Sequence, residues 1–278
     1  MLPAPLKIGV FDSGVGGLTV LRALLETIPD ADYLYLGDTA RLPYGSKSQA
    51  TIARYATSST QFLLEQGAQF LVIACNTASA LALPEIRQTA DRFGVSALGV
   101  VDTGAFAANA HSKTRDVLVI ATAATVASHA YTTAAHAYGL RALEKACPLL
   151  VPLVEEGWID HPVTEQVVDI YLNELLRSAA DAHLTPDTLV LGCTHYPLLR
   201  EVIRRAVPPA IAVIDSAEVT AHQAREQLQA LQLLPKAASG VQGACKFFAT
   251  DSTSKFRELG ARFLGRPIAH VELVDLGG

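Results

Sequence analysis

The chain alternates between two textures. Short, almost unbroken apolar runs are separated by longer stretches in which apolar residues recur every three or four positions. "KIGVF" (7–11), "DYLYLGD" (32–38), "FLVIA" (70–74), "SALGVV", "DVLVIAT", "TLVLG", "AIAVID" and "CKFFAT" are runs of the first kind, rich in Val, Ile and aromatic residues, and they predict buried strands. "GGLTVLRALLETIP" has the second texture and predicts a helix ending at Pro29. So do Ser48 to Gln66, stopped by Gly67, and a segment from about Ala78 to Phe93. "TARLPYGSKS" carries the breakers Pro43 and Gly45 and predicts a loop. Strands too apolar to face water on either side, with helices between them, predict an α/β fold with parallel sheets covered on both faces.

The pattern also repeats faintly. "FLVIACNTASALALPEIR" aligns with "TLVLGCTHYPLLREVIRR", setting Cys75 against Cys193, 118 residues apart (193 − 75). "KIGVFDSGVGGLTV" aligns with "DVLVIATAATVASH", setting Asp12 against Thr122, 110 apart (122 − 12). The echo predicts two related α/β halves. In such folds, ligand crevices open at the carboxyl ends of strands.

Composition narrows the class. Of 278 residues half are hydrophobic and 18% are charged, with a net charge of −5, which favours a well-packed globular chain over disorder. No Lys/Arg cluster stands out, so a nucleic-acid partner is not expected. No apolar run approaches the roughly 20 residues of a bilayer span, so no membrane association is expected. "MLPAPLKIGVFDSG" does not read as a signal peptide. The expected compartment is the cytoplasm, where thiols stay reduced. Four cysteines lie far apart, at 75, 147, 193 and 245, with no CxxC pair, which removes the main signal for a zinc ribbon or a thioredoxin-type site.

Three motifs carry candidate chemistry. "FDSGVGG" (11–17) sits at a strand–loop–helix junction, where glycines let backbone N–H groups approach an anion. The dinucleotide fingerprint would need a third glycine where Thr19 stands, and the phosphate-loop lysine is absent. Asp12 would repel phosphate, so Asp12 and Ser13 suit a ligand bearing an ammonium group; a tight turn without function is the alternative. "ACNTASA" and "GCTHYPLL" each end a strand on a thiol and precede a predicted helix, whose N-terminus would stabilise a thiolate and lower its pKa. A buried cysteine is more often a small hydrophobe, which is the reading for Cys147 and Cys245. Equivalent positions in two echoing halves favour function for Cys75 and Cys193. His195 could be a metal ligand, an acid/base partner of the thiol, or a packed core residue; one His near one Cys is weak evidence for zinc. "PYG" (43–45) is either a turn or a backbone frame for a carboxylate.

In order and spacing, "FDSGVGGLTV", "GDTARLPYG", "ACNTASA" and "GCTHYPLL" together resemble the bacterial glutamate racemases. The resemblance implies a cofactor-independent interconversion of L- and D-glutamate that supplies D-glutamate for peptidoglycan. It implies no metal, and it implies two pseudo-symmetric α/β domains, 1–98 plus 213–278 and an inserted 99–212, with the active site in the cleft between them. Cys75 and Cys193 match the family's two catalytic cysteines, Cys75 facing the α-hydrogen of D-glutamate and Cys193 that of L-glutamate. Asp12 and His195 match assisting residues. Asp12, Ser13, Tyr44, Gly45, Asn76, Thr77, Thr194 and His195 match substrate contacts, and Thr122 and Thr125 of "ATAAT" fall where further contacts lie. Homodimers are common in the family, so a homodimer is expected. The chain beyond Ser216 matches no functional motif.

Rival readings remain at this stage. An aspartate racemase would share the fold, a metal-dependent hydrolase would use Cys75, Cys193 and His195 as ligands, and an interaction protein would need no chemistry at all.

Overall fold

A computed structural model describes residues 5–234 and 242–277; the remainder of the sequence-derived domain ranges and the start of the N-terminal segment lie outside the described residues. Among these, the strands in chain order are β1 (Lys7–Asp12), β2 (Asp32–Gly37), β3 (Phe70–Ile73), β4 (Ser96–Gly99), β5 (Asp116–Ala121), β6 (Arg141–Ala146), β7 (Thr188–Gly192), β8 (Ala212–Asp215), β9 (Cys245–Ala249) and β10 (Glu272–Leu273). The chain divides into two compact units, Met1–Val100 with Ala217–Gly278, and Val101–Ser216. Both are α/β.

The first unit has a six-stranded sheet in the order β10-β9-β2-β1-β3-β4, parallel throughout. β1 and β3 are almost wholly buried, as a strand covered on both faces must be. The chain steps from β1 to β2 in one direction and from β2 to β3 to β4 in the other. Right-handed crossovers therefore put helix Leu18–Thr27 on one face and helices Gln49–Glu65 and Asn76–Asp91 on the other. The return to β9 and β10 runs in the first direction, and helices Ala217–Ala230 and Thr253–Leu264 accordingly pack against Leu18–Thr27. Helix Thr253–Leu264 buries Phe256, Leu259, Gly260, Phe263 and Leu264, one 3.6-period stripe. Each large apolar side chain so buried contributes roughly 1.5–3 kcal/mol. Gly265, at φ 76°, ends that helix, in a left-handed conformation that costs glycine little.

The second unit repeats the plan with four parallel strands, β6-β5-β7-β8. β6 was not evident in the sequence. It is an edge strand, "RALEKA", whose residues are half-exposed and so never form an apolar run. Helix Pro162–Asp181 covers the sheet with Thr164, Val168, Leu172, Leu175 and Ala179. It begins with a proline, which needs no N–H there, and His161 Nδ1 accepts from Val163 N at 3.1 Å.

Two local expectations are corrected. "SALGVV" is a strand only as far as Gly99; Val100 and Val101 open helix Val100–His111. The helix expected from about Ala78 begins at Asn76, because Cys75 is its N-cap. No helix among the described residues is long and apolar enough to cross a membrane.

At the amino ends of β5 and β7, carboxylates close the second unit. Asp187 accepts from Ser112 Oγ (2.7 Å), Lys113 N (2.7 Å), Thr114 N (3.0 Å) and Thr188 Oγ1 (3.1 Å). Burial on its own would raise this carboxyl, but the hydrogen bonds from Ser112, Thr114 and Lys113 outweigh it and hold it at about 2. A carboxylate depressed in the folded state stabilises above its ordinary pKa, near 3.9, and loses that contribution as pH falls through the folded value. Asp187→Ala should thus destabilise by about 1–3 kcal/mol in urea unfolding at pH 7, and the gap between variant and wild type should close between about pH 4 and pH 2. A gap that persisted unchanged at pH 2 would locate the cost in packing instead.

Candidate active site

In both sheets the strand order reverses beside the first strand of the unit, between β1 and β3 and between β5 and β7. Helices leave these strands toward opposite faces, so their carboxyl ends leave a crevice. The residues singled out from sequence lie at these two places.

In the first unit, Asp12 is the last residue of β1 and Cys75 lies two residues past the end of β3, where Phe11 pairs with Ile73. Both are buried. Gly17 permits this closeness: a Cβ there would stand 2.6 Å from Asp12 Cβ and 2.8 Å from Ala74 Cβ. Gly17 of "FDSGVGG" thus serves close packing, and the loop turns inward, with Gly14 N donating to Asp12 Oδ2 at 2.9 Å. Cys75 Sγ lies 3.4 Å from Ser13 Oγ and accepts from Ala78 N at 3.5 Å. Asn76 and Thr77 form the buried first turn of the helix that Cys75 caps.

The sequence reading expected a depressed thiol here, and the structure corrects it. Burial, and next the Asp12 carboxylate, push Cys75 up to about 12; the hydrogen bonds from Ser13 and Ala78 offset part of this but do not reverse it. Without a ligand, Cys75 is a neutral thiol at physiological pH.

Tyr44 and Gly45 lie in a short 3₁₀ turn after a cis peptide at Leu42–Pro43. Tyr44 is buried and donates its hydroxyl to Asp38 Oδ2 at 2.5 Å. Asp38, just past β2, also receives Arg41 Nε, 2.8 Å from Oδ2 and 2.9 Å from Oδ1. Arg41 in turn lies over the Tyr55 ring, 4.5 Å from its centroid, a cation–π contact. Neither Asp38 nor Arg41 was singled out from sequence. Asp38 was findable, because "GDT" ends its strand on a carboxylate as "FDS" does.

In the second unit, Thr122 and Cys193 each follow directly on the ends of β5 and β7, at the Ala121–Gly192 pair. Thr122 caps helix Ala123–Ala127: its Oγ1 accepts from Thr125 N at 3.4 Å and lies 2.9 Å from Thr125 Oγ1. Cys193, Thr194 and His195 are buried. No α-helix starts at Cys193. Pro197 lacks the N–H of a helix interior, and a 3₁₀ turn, Tyr196–Leu199, precedes helix Arg200–Ala206. The expected helix N-terminus is replaced by an imidazole. His195 Nδ1 lies 3.9 Å from Cys193 Sγ and 3.4 Å from Thr194 Oγ1, and Nε2 lies 3.2 Å from Glu155 Oε1. Burial lowers the His195 pKa, but hydrogen bonds to Cys193 and Glu155 more than compensate, raising it to about 10. With a thiolate at Cys193 the ring is an imidazolium, its positive charge set beside that sulfur. Glu155, 40 residues away in sequence, left no local signal.

Cys147 also lies at this edge, one residue past β6, but burial pushes it up to about 12 and its Sγ is 3.7 Å from Lys145 O. It is a packed thiol. Cys245 opens β9 at the opposite end of its sheet. Among the described residues, no group of three or more His, Cys, Asp or Glu side chains could hold a metal ion.

A family profile described as Asp/Glu/Hydantoin racemase matches residues 8–224. The chain belongs to this racemase family. A curated relative from Koribacter versatilis, named glutamate racemase, is 53% identical over 98% of both chains. Another of the same name, from Chlorobaculum tepidum, is 46% identical over 97% of this chain and 96% of its own. Among solved structures, glutamate racemase from Francisella tularensis in complex with D-glutamate superposes with a TM-score of 0.87 at 34% identity, over 98% of each chain. The two-unit architecture with parallel sheets is thus a property of the racemase family.

The electrostatics of the first site lead to a direct test. The Asp12 carboxylate disfavours a second negative charge on Cys75, so Asp12→Asn should lower the thiol's pKa and accelerate iodoacetamide labelling of the Cys75 peptide at pH 8. One unit of pKa corresponds to roughly tenfold. Equal labelling rates in variant and wild type would show that burial alone protects the thiol.

Proposed function

We propose that this chain interconverts L- and D-glutamate by direct proton transfer between two thiols, without a cofactor, in the cytoplasm, where it supplies D-glutamate for peptidoglycan. The observation that carries the reading is the matched placement of Cys75 and Cys193, each buried beyond the carboxyl end of a strand at its sheet's reversal point. The glutamate racemases from K. versatilis and F. tularensis, the latter with D-glutamate bound, support glutamate as the substrate.

In this reading the two thiols serve opposite faces of one α-carbon. One sulfur, as thiolate, removes the α-proton and becomes a thiol; the electron pair passes into the α-carboxylate. The opposing thiol protonates the other face and becomes the thiolate. Cys75, held neutral by burial and Asp12, is poised as the donor. Cys193, beside the imidazolium of His195, is poised as the base that meets L-glutamate. For the reverse direction Cys75 must ionise. The substrate ammonium, seated against Asp12 and Ser13, would cancel the repulsion that keeps that thiol protonated. The hydroxyls of Thr77, Thr122, Thr125 and Thr194, the Asn76 amide and the backbone of Tyr44 and Gly45 hold the two carboxylates and the developing charge. Asp12 and His195 assist the transfers, His195 as a proton donor and fixed positive charge more than as a base.

Racemisation of L-glutamate in deuterated buffer, with EDTA and no pyridoxal phosphate, should proceed with α-deuterium in the product. Loss of activity in chelator, restored by zinc, would instead favour the hydrolase-type use of these residues, and equal turnover of aspartate would widen the substrate to both acids. Cys75→Ser and Cys193→Ser should each lower racemisation by about 10²–10⁴-fold. Cys75→Ser should still wash deuterium into L-glutamate, and Cys193→Ser into D-glutamate. If both variants exchange both enantiomers equally, one base serves both faces and the two-thiol assignment is wrong.

A further inference from the structure

Past β9 the sequence matched no functional motif, yet the structure ties this segment to the Tyr44 turn. Thr250 follows the last residue of β9, and β9 pairs with β2 through Gly37 and Ala249. That register sets Thr250 beside Asp38. The Thr250 hydroxyl donates to Asp38 Oδ1 at 3.0 Å and accepts from Ala40 N at 2.9 Å. One residue on, the contact is reciprocated. Thr39 Oγ1 donates to Asp251 O at 2.7 Å and accepts from Asp251 N at 2.9 Å. Four hydrogen bonds across 210 to 212 positions of sequence therefore clamp the Asp38–Ala40 corner.

The corner itself is a hub. The Asp38 carboxylate is completely buried, and besides Thr250 it holds the Tyr44 hydroxyl and Arg41 Nε. Its backbone N–H donates to Asp12 O at 3.0 Å, so the corner also hangs from the last residue of β1. A carboxylate with this many donors is a rigid anchor: moving it exposes buried polar groups without partners.

We infer that Thr250 is a positioning residue for the carboxylate-binding Tyr44–Gly45 turn, acting through the buried Asp38 carboxylate it shares with Tyr44 and Arg41. This rests on the reading of Tyr44 and Gly45 as a frame for glutamate. It assigns the C-terminal segment a part in substrate binding that its sequence does not display. Thr250 touches no reacting atom, so its loss should loosen the ground-state complex and leave the proton transfers intact.

The test compares Thr250→Val, which keeps the shape but removes the hydroxyl, with Thr250→Ser, which restores it. In Thr250→Val, KM for both enantiomers of glutamate should rise roughly tenfold, the scale of a lost hydrogen bond to a charged group, with kcat within about twofold; Thr250→Ser should return KM to the wild-type value. Hydrogen exchange read on peptides spanning residues 38–47 gives a measurement independent of turnover. The Ala40 amide loses its acceptor in Thr250→Val, so exchange there should quicken, and Thr250→Ser should slow it again. Unchanged exchange in Thr250→Val overturns the clamp. Quickened exchange with unchanged KM, or with kcat falling alone, overturns its role in binding. A wild-type enzyme that does not racemise glutamate would sink the proposed function, while the exchange measurement would still decide whether Thr250 holds the turn.

Discussion

A parallel strand cannot be followed directly by its neighbour; the chain must cross over, and the crossover is right-handed. Everything at the candidate site follows from where that constraint reverses. In each unit the first strand is flanked on both sides by later strands, β2 and β3 around β1, β6 and β7 around β5. The connecting helices consequently leave toward opposite faces and cannot fill the space above the shared strand ends. The residue types found there are those that tolerate or use such a place: Asp12, Cys75 and Asn76 in one unit, Thr122, Cys193 and Thr194 in the other. The same sheets bury both sides of β1, β3, β5 and β7, so the groups at these crevices rest on a rigid base of Val, Ile and Leu side chains.

The two crevices surround their thiols in different ways. One extra residue, Ala74, separates Cys75 from the strand pairing that Cys193 follows directly. The extra step carries Cys75 to the N-cap of a long helix, where a backbone N–H reaches its sulfur. Cys193 has no such donor within an α-helix, since Pro197 delays the helix, and an imidazolium stands there instead. A helix N–H is a weak, fixed aid, overcome at Cys75 by burial and by Asp12. An imidazolium anchored to Glu155 is a full charge. The halves are alike in topology and unlike in the groups that surround their thiols.

The α/β class and most of the strands were legible in the sequence because they are written in apolar runs: strands buried on both faces announce themselves. Two of the elements that escaped did so for different reasons. β6 is half-exposed and reads as polar, and the helix at Val100 hid behind the apolar run it shares with β4. The thiols were legible for a different reason, as polar atoms ending apolar runs in two echoing places. Their protonation was not. The helix-dipole argument at Cys75 was sound in sign, but a nearby carboxylate and burial outweigh it, and neither magnitude is visible without coordinates. Glu155, Arg41 and Thr250 escaped because their roles are defined by partners in space. Thr250 meets Asp38 across 212 residues of sequence, and no local pattern records that.

Four aspartates, three of them buried, show how the same side chain takes on different tasks at the two ends of a parallel sheet. Asp116 and Asp187 lie at the amino ends of β5 and β7, held by Arg141, Thr185, Ser112 and backbone N–H groups. Despite burial, both are lowered from their ordinary pKa by those donors. Such carboxylates are structural: their charge is neutralised locally, and nothing passing the carboxyl edge meets it. Asp12 stands at the other end, and its charge reaches Cys75 strongly enough to help keep that thiol protonated. Asp38 is the instructive intermediate. It shares the carboxyl edge with Asp12, but its oxygens are taken by Tyr44, Arg41 and Thr250, the same saturation that marks the amino-edge pair. Location alone would make Asp38 a reacting group. Its hydrogen bonds make it an anchor, which holds the Tyr44 turn in place while Asp12, one strand over, acts on the thiol.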